Sequence, residues 1–377
     1  METDGSSGGR YRLWPIRRNM LVGLCAIGAV VIPVAGAFAY VGGFLTPGSL
    51  TQARVIDGFE TVNGIHPGFR RNHAKGVCVA GRFIGNGKGA ALSKAAVFQP
   101  VTTPVTGRFA VAVGKPFVPD NETQVRSMAL SFRTANGEEW RTGMNDIPVF
   151  PVRTAQGFYE QQLASAPDPA TGKPDPARIQ AFLAAHPETP PAIKLIRARP
   201  FSTGFANASY NSLDAFRLIS AGGTSTPVRW SMVASDAFVP ATPATGAATN
   251  YLFDDLIARI ASGPVQWHLV VTVGEAGDAT NDATVPWPDS RTRIDVGTLT
   301  LDHVEAEGPG NCRDVNFDPL VLPSGIEPSD DPLLSARSAA YAASFTRRAG
   351  EDKTPSQVTP GEVTPAEVEK PVAVKGP

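Results

Sequence analysis

The sequence predicts an α+β fold, with strands that suggest a closed antiparallel β-barrel, helices that interrupt them, and a preceding N-terminal membrane helix. Three observations lead there. Short segments in which apolar and polar residues alternate recur between turn residues, the pattern of strands with two different faces. Other segments carry apolar residues at helical spacing and interrupt the strands rather than alternating with them. The run from Met20 to Leu45 contains no charged residue.

At the N-terminus, Arg10, Arg12, Arg17 and Arg18 make residues 1–19 a basic segment ahead of the uncharged run at 20–45. At about 1.5 Å per helical residue that run exceeds the roughly 30 Å hydrocarbon core of a bilayer. Its basic flank predicts a cytoplasmic N-terminus, with everything after Thr46 on the far side. The run reads as a signal-anchor. Ala37-Phe38-Ala39 offers a small-residue cleavage site, and cleavage there makes the run a removable signal sequence. Arg17-Arg18-Asn19-Met20-Leu21 also resembles a loose twin-arginine export signal.

The first strand follows His73, where Val77, Val79 and Phe83 alternate with Cys78, Ala80 and Arg82. Arg108 to Val113 repeats the pattern, and Val125 to Arg133 is a third strand. Asn136-Gly137 predicts a type I′ hairpin turn, because both residue types tolerate positive φ, leading into a strand towards Asn145. Later strands are expected at Phe216 to Ile219, Val228 to Val233, Trp267 to Val273 and Ile294 to Leu301. Helices are expected at 155–166, 176–185 and 250–261, the last ended by Ser262-Gly263-Pro264. A Pro-, Gly- and Thr-rich stretch, Ala234 to Ala248, reads as surface loop. After Gly350 large apolar residues almost vanish, which predicts a disordered tail over 350–377 and leaves 46–349 as one folded domain.

With 34 basic and 35 acidic side chains, the chain has no net field to attract nucleic acid. Its three cysteines, Cys25, Cys78 and Cys312, lack the paired spacing of a zinc or iron–sulfur site. Cys25 falls in the membrane segment. Cys78 and Cys312 can pair if the domain is exported.

Two segments carry the chemistry. Arg70-Arg71-Asn72-His73-Ala74-Lys75-Gly76 places a histidine just ahead of an alternating strand, and it resembles the distal-histidine motif of haem catalases. Leu334-Ser335-Ala336-Arg337-Ser338-Ala339-Ala340-Tyr341 resembles the catalase proximal motif, an arginine one turn before a tyrosine. The two stand in catalase order, a barrel-sized length apart, and the resemblance, which extends from about Arg54 to about Arg348, implies a barrel with helical additions. Between them Gly143-Met144-Asn145-Asp146-Ile147-Pro148-Val149-Phe150 resembles the distal-asparagine motif. Trp287-Pro288, Ile294 to Leu299 and Phe317-Asp318-Pro319 match late structural segments of the family.

The resemblance implies a role for each matched residue. Splitting a peroxide at haem iron needs a base that takes a proton from one oxygen and returns it to the other, and His73 matches that position. Asn145 matches the neutral amide that orients the peroxide. Tyr341 matches the axial iron ligand; catalase itself is the established case of a tyrosine haem ligand. Arg337, Tyr341 and Arg348 are spaced four and seven apart and share a helix face, so Arg337 can stabilise the phenolate. Arg70, Arg108 and Arg348 match the arginines that hold the haem propionates. Phe158 matches an aromatic packed over the haem. The implied cofactor is haem b, ferric at rest, without NADPH, since no further domain follows the tyrosine helix. His66, His186, His268 and His303 have no comparable context.

Two positions depart from catalases. Asn72 stands where they usually carry a small apolar residue, and its amide is expected to reach the imidazole or the peroxide. Ala110 stands where they usually carry a serine that supports the distal histidine, which predicts a less firmly oriented imidazole. With the missing C-terminal domain, these features resemble the small catalase-related peroxidases of bacteria. The expected activity is reduction of peroxide with a small organic donor, by an enzyme anchored in or exported across a membrane. The alternatives are a fatty-acid hydroperoxide enzyme of the same fold, and a haem-binding carrier or sensor that needs neither His73 nor Asn145.

Overall fold

The computed structural model describes residues 18–41, 45, 49–241 and 249–362. It divides into two units, one ending at Thr51 and one beginning at Gln52. The first contains helix α1 (Arg18–Val41), which continues through Pro33 and past Ala39. Among the described residues, its Val22–Tyr40 stretch is the one helix long and apolar enough to cross a membrane. Arg10, Arg12 and Arg17 lie outside the described residues.

The second unit is built on β1 (Gly76–Gly85), β2 (Thr102–Val111), β3 (Arg126–Arg133), β4 (Glu139–Asn145), β5 (Tyr210–Asn211), β6 (Phe216–Ile219), β7 (Ser225–Ala234), β8 (Val265–Val273), β9 (Arg293–Glu305) and β10 (Ile326–Pro328). β1 to β5 pair in order, β5 pairs with β7, and β7 pairs with β8, β8 with β9 and β9 with β1. That closes an eight-stranded ring with every pair antiparallel, which leaves it without a free edge. β6 and β10 extend the sheet from β7.

The ring is filled. Trp140 stacks on Phe132 at 4.8 Å and meets Trp230 edge-on at 5.1 Å, and all three are buried with Phe109, Tyr210 and Trp267. Each polar tip in this interior that has a bond uses a nearby group: Trp230 donates to Thr142 Oγ1, Trp267 to the Ala208 carbonyl and Tyr210 to the Phe205 carbonyl. A ligand must therefore sit outside the ring.

The register of β1 to β4 sets what the outer face presents. Gly76, Ala110, Ser127 and Asn145 are successive cross-strand partners, and so are Cys78, Arg108, Ala129 and Gly143. They form two parallel rows. Along the strands the rows are two residues apart, about 7 Å at the extended rise, and the residues between them, such as Phe109 and Met128, point into the core.

Helices surround the ring, and three of them line this face. Besides α3 (Ala155–Ser165), α4 (Pro176–Ala185) and α6 (Tyr251–Ser262), which lie where apolar spacing predicts them, there are α2 (Gln52–Asn63), α5 (Thr189–Ala198) and α7 (Pro332–Ala349). α2 packs against both α3 and α7. α7 begins at Pro332 with Asp331 accepting from the Leu333 amide, a proline-plus-aspartate start that satisfies one free N–H of the first turn.

Three expectations are corrected. The β3–β4 hairpin is not type I′: Gly137 donates to the Thr134 carbonyl and alone has positive φ, 84°, so Ala135-Asn136 form an ordinary turn followed by a glycine bulge. β1 does not alternate cleanly, because its first residues are buried on both faces between core and helices. Residues 351–362, expected within the disordered tail, pack against the domain. Glu351 pairs with Arg71 and accepts from the Gly68 amide, and Val358 is 1% exposed within the main core. Residues 363–377 lie outside the described residues.

Cys78 of β1 and Cys312 are joined in a disulfide, with Cα atoms 5.4 Å apart. Truncation after Gly350 is expected to lower stability by at least the roughly 1.5–3 kcal/mol that full burial of a valine contributes. Denaturant unfolding of the full and truncated chains checks this, and equal midpoints would return the segment to the status of a free tail.

Candidate active site

All ten residues singled out from the sequence line one cavity of about 350 Å³ against the outer face of β1 to β4. The four remaining described histidines, His66, His186, His268 and His303, do not line it.

His73 hangs over the first row. Its backbone is left-handed, φ 56°, a conformation that few non-glycine residues adopt and that directs the chain sharply into β1. The Asn72 side chain caps this turn, its Oδ1 accepting from the His73 backbone amide at 3.0 Å. That bond engages the Asn72 carbonyl oxygen with the backbone.

The expectation for Ala110 fails. Ser127, its register partner on β3, brings its hydroxyl to 2.9 Å from His73 Nδ1. The same hydroxyl donates to Asn145 Oδ1. The supporting hydroxyl is present, one strand over, and the imidazole is held. No local pattern in the sequence marks Ser127, since its role depends on which residues lie opposite it.

The imidazole stays neutral. Burial, followed by the positive charges of Arg108, Arg70 and Arg337, lowers the His73 pKa to about 3. A neutral ring can accept a proton across the whole physiological range.

Tyr341 projects from α7 over the second row and, like Ala129 and Val315, packs against the cluster formed by Cys78, Cys312 and Phe317. A Cβ on Gly143 would lie 3.2 Å from the Tyr341 hydroxyl and 3.5 Å from Arg337 Nη2, so the bare glycine makes the seat for both. Arg337, one turn earlier, donates from Nη2 to the Gly143 carbonyl at 3.1 Å and from Nη1 to Asp214. Burial works against the Arg337 charge, but Asp214 and Tyr341 raise its pKa above the ordinary value. Asp214 is a site residue that the motifs do not reveal. It is 2% exposed on its side chain and follows Leu213, which is left-handed at φ 65° and turns the carboxylate towards Arg337. Burial and the nearby Asp214 also push Asp331, at the start of α7, up to about 7.

Arg70, Arg108 and Arg348 converge at one edge of the cavity. Arg108 is gripped by Glu307, Nε to Oε1 and Nη2 to Oε2, both at 2.9 Å. Arg70 donates to the carbonyls of Cys312 and Val315, and Arg348 to that of Arg313 at 2.6 Å. Burial lowers the Arg348 pKa to about 10, helped by Arg108. Burial pushes Glu307 upward, yet the surrounding arginines hold it below the ordinary carboxylate range. Arg70 Nε and Arg348 Nη2 are buried without a protein partner. Phe158 of α3 completes an aromatic side wall with Phe59 and Phe150, ring centroids 5.6 and 5.5 Å away.

A family model described as Catalase matches residues 49–364. A catalase-related peroxidase of Synechococcus elongatus is 37% identical over 325 residues, covering 85% of this chain and 96% of that protein. One from Mycolicibacterium paratuberculosis is 32% identical over 309 residues, covering 81% and 97%. A catalase of Pseudomonas aeruginosa is 30% identical over 296 residues, covering 74% of this chain and 56% of that protein. Among solved structures, a bacterial catalase aligns with a TM-score of 0.66 at 25% identity, over 76% of this chain and 58% of the other.

The depressed His73 pKa has a stability consequence. The unfolded imidazole binds a proton near pH 6.5 and the folded one only near 3. The unfolded state therefore gains protons first, and His73 leaves stability intact above about 6.5 and erodes it as pH falls towards 3. Denaturant midpoints measured from pH 7 to pH 4 should fall further for the wild type than for His73→Gln, other groups being common to both. Parallel curves would mean that His73 is not held neutral.

Proposed function

The chain belongs to the catalase family, and on that premise we propose that it is a haem-dependent peroxidase that reduces hydrogen peroxide or organic peroxides with electrons from an organic donor. The carrying observation is the pairing of two arrangements across one cavity: His73, Ser127 and Asn145 over one row of the barrel wall, and Tyr341, Arg337 and Asp214 over the other.

The residues fit haem. Three guanidinium groups less the Glu307 carboxylate leave a net charge of +2 at the cavity edge, matching two propionates, and the unpartnered Arg70 Nε and Arg348 Nη2 are donors that such anions would satisfy. Tyr341 would hold the haem iron, as tyrosine does in catalases, with the Arg337 guanidinium set beside its hydroxyl. When bound, haem supplies the iron that takes up the peroxide and stores its oxidising equivalents.

The chain's own part is proton handling and orientation. His73 Nε2 accepts the proton of the incoming hydroperoxide and returns it to the departing oxygen, so that water leaves from hydrogen peroxide and an alcohol from an organic peroxide. Asn145, with Oδ1 tied to Ser127, has only its amino group to offer the peroxide, which it orients without competing for the proton. Phe158 would give the haem an apolar wall. A carrier or sensor would need neither His73 nor Asn145, whereas here one hydroxyl joins them.

The emphasis on peroxidase is supported by the matches that cover 96% and 97% of two catalase-related peroxidases, against 56% of a catalase. An exported domain, anchored by α1 or released after its cleavage and facing the periplasm or cell exterior, is supported by the buried disulfide, which forms in oxidising compartments.

The deciding experiment compares oxygen release from hydrogen peroxide with oxidation of a phenolic donor by the haem-loaded protein. Donor oxidation should dominate; fast oxygen release with negligible donor oxidation would make the enzyme an ordinary catalase. Tyr341→Phe is expected to lose the phenolate-to-iron charge-transfer band and most haem, and an unchanged spectrum would remove the ligand assignment. His73→Ala should retain haem but slow the reaction with peroxide roughly 10²- to 10⁴-fold, the usual contribution of a positioned acid–base group. Wild-type rates would leave His73 a structural residue.

A further inference from the structure

Ser127 does more than prop an imidazole. Its hydroxyl carries a single hydrogen and contacts two groups at once, His73 Nδ1 and Asn145 Oδ1. The amide oxygen can only accept, so the hydrogen belongs to that bond. The remaining contact, at 2.9 Å, is then satisfied by a proton on His73 Nδ1 donated to the serine oxygen. In a neutral ring this leaves Nε2 with its lone pair free. The opposite wiring is also self-consistent: a turned Asn145 amide donates to the serine, the serine donates to Nδ1, and the proton sits on Nε2. In that state the ring has no basic nitrogen for the cavity and the amide offers an acceptor where a donor is needed.

We infer that Ser127 is a positioning residue that locks the His73 tautomer and the Asn145 amide orientation together, so that a proton acceptor and an amide donor are presented in one wiring. This inference rests on the proposed function. It follows from where the serine lies in the sheet. Ala110, Ser127 and Asn145 occupy one cross-strand row on β2, β3 and β4. A serine at position 110 would lie two strands from Asn145, nearly 10 Å at the roughly 4.8 Å strand spacing, and could support the ring without touching the amide. Only the middle strand reaches both. With His73 neutral down to about pH 3, the lock holds across the working range.

The test reads the tautomer directly. The full chain is loaded with zinc protoporphyrin, a diamagnetic stand-in for haem, with ¹⁵N in its histidine rings and asparagine amides. Wild type should show a one-bond N–H coupling at His73 Nδ1 and none at Nε2. Ser127→Ala should populate the Nε2–H tautomer and, in the haem-loaded enzyme, slow the peroxide reaction roughly 10- to 100-fold; Ser127→Thr, which keeps the hydroxyl, should restore both. Ala110→Ser combined with Ser127→Ala should recover the Nδ1–H tautomer but leave the Asn145 amide signal displaced. A wild-type Nε2–H tautomer overturns the inference even if Ser127→Ala fails to hold porphyrin, and so does an unchanged tautomer in Ser127→Ala. An unchanged tautomer in Ser127→Ala leaves His73 as the base standing, a wild-type Nε2–H tautomer counts against that reading too, and His73→Ala examines it independently.

Discussion

The site depends on the pairing register of β1 to β4. Because side chains in a strand point alternately to two faces, a filled barrel needs every second residue for its core, and the rest form rows on the outside. One row carries Ser127 and Asn145, the next Arg108 and Gly143. The two-residue step between them separates the histidine side of the cavity from the tyrosine side. Small residues at Ala110, Ala129 and Gly143 keep the wall open enough for a planar group to approach, while Trp140, Trp230 and Trp267 keep the wall rigid from behind.

Charge completes what the register begins. Three arginines crowded at one edge, two of them buried, would be unstable together without the Glu307 carboxylate and the carbonyls of Cys312, Arg313 and Val315, all on the segment that the disulfide holds to β1. A second ionic group ties the two sides of the cavity to each other. Arg71, next to the histidine turn, pairs with Glu60 of α2 and with Glu351 just beyond α7, and Arg347 of α7 pairs with Asp57 and Glu60. Breaking a largely buried pair of this kind leaves an uncompensated charge, so its value lies in holding geometry more than in net stability.

Most strands were legible because alternation is a local signal, and Phe216–Ile219 lies where it was expected. The motif residues were legible through resemblance, and all reach one cavity. What stayed hidden is non-local. Ser127 matters because of its partners across the sheet, Asp214 because Leu213 turns left-handed, and Glu307 because a loop folds it back onto Arg108. α2 has a mixed face whose partners, α3 and α7, come much later in the chain. The segment at 351–362 has few apolar residues, yet one of them, Val358, finds the core, and composition cannot foresee a single anchor.

The Cys78–Cys312 bond spans 234 residues and encloses β2 to β9 entirely, with α7 left outside. The barrel is thus a ring twice over, once through its hydrogen bonds and once through its covalent chain. By loop-closure entropy a ring of that size restricts the denatured chain by roughly 5 kcal/mol, comparable to the whole net stability of many domains. The helix bearing Tyr341 shares none of that topological protection. It is held to the cyclised barrel by side-chain contacts alone, Leu334 in the core among them, so its seat owes nothing to the covalent loop.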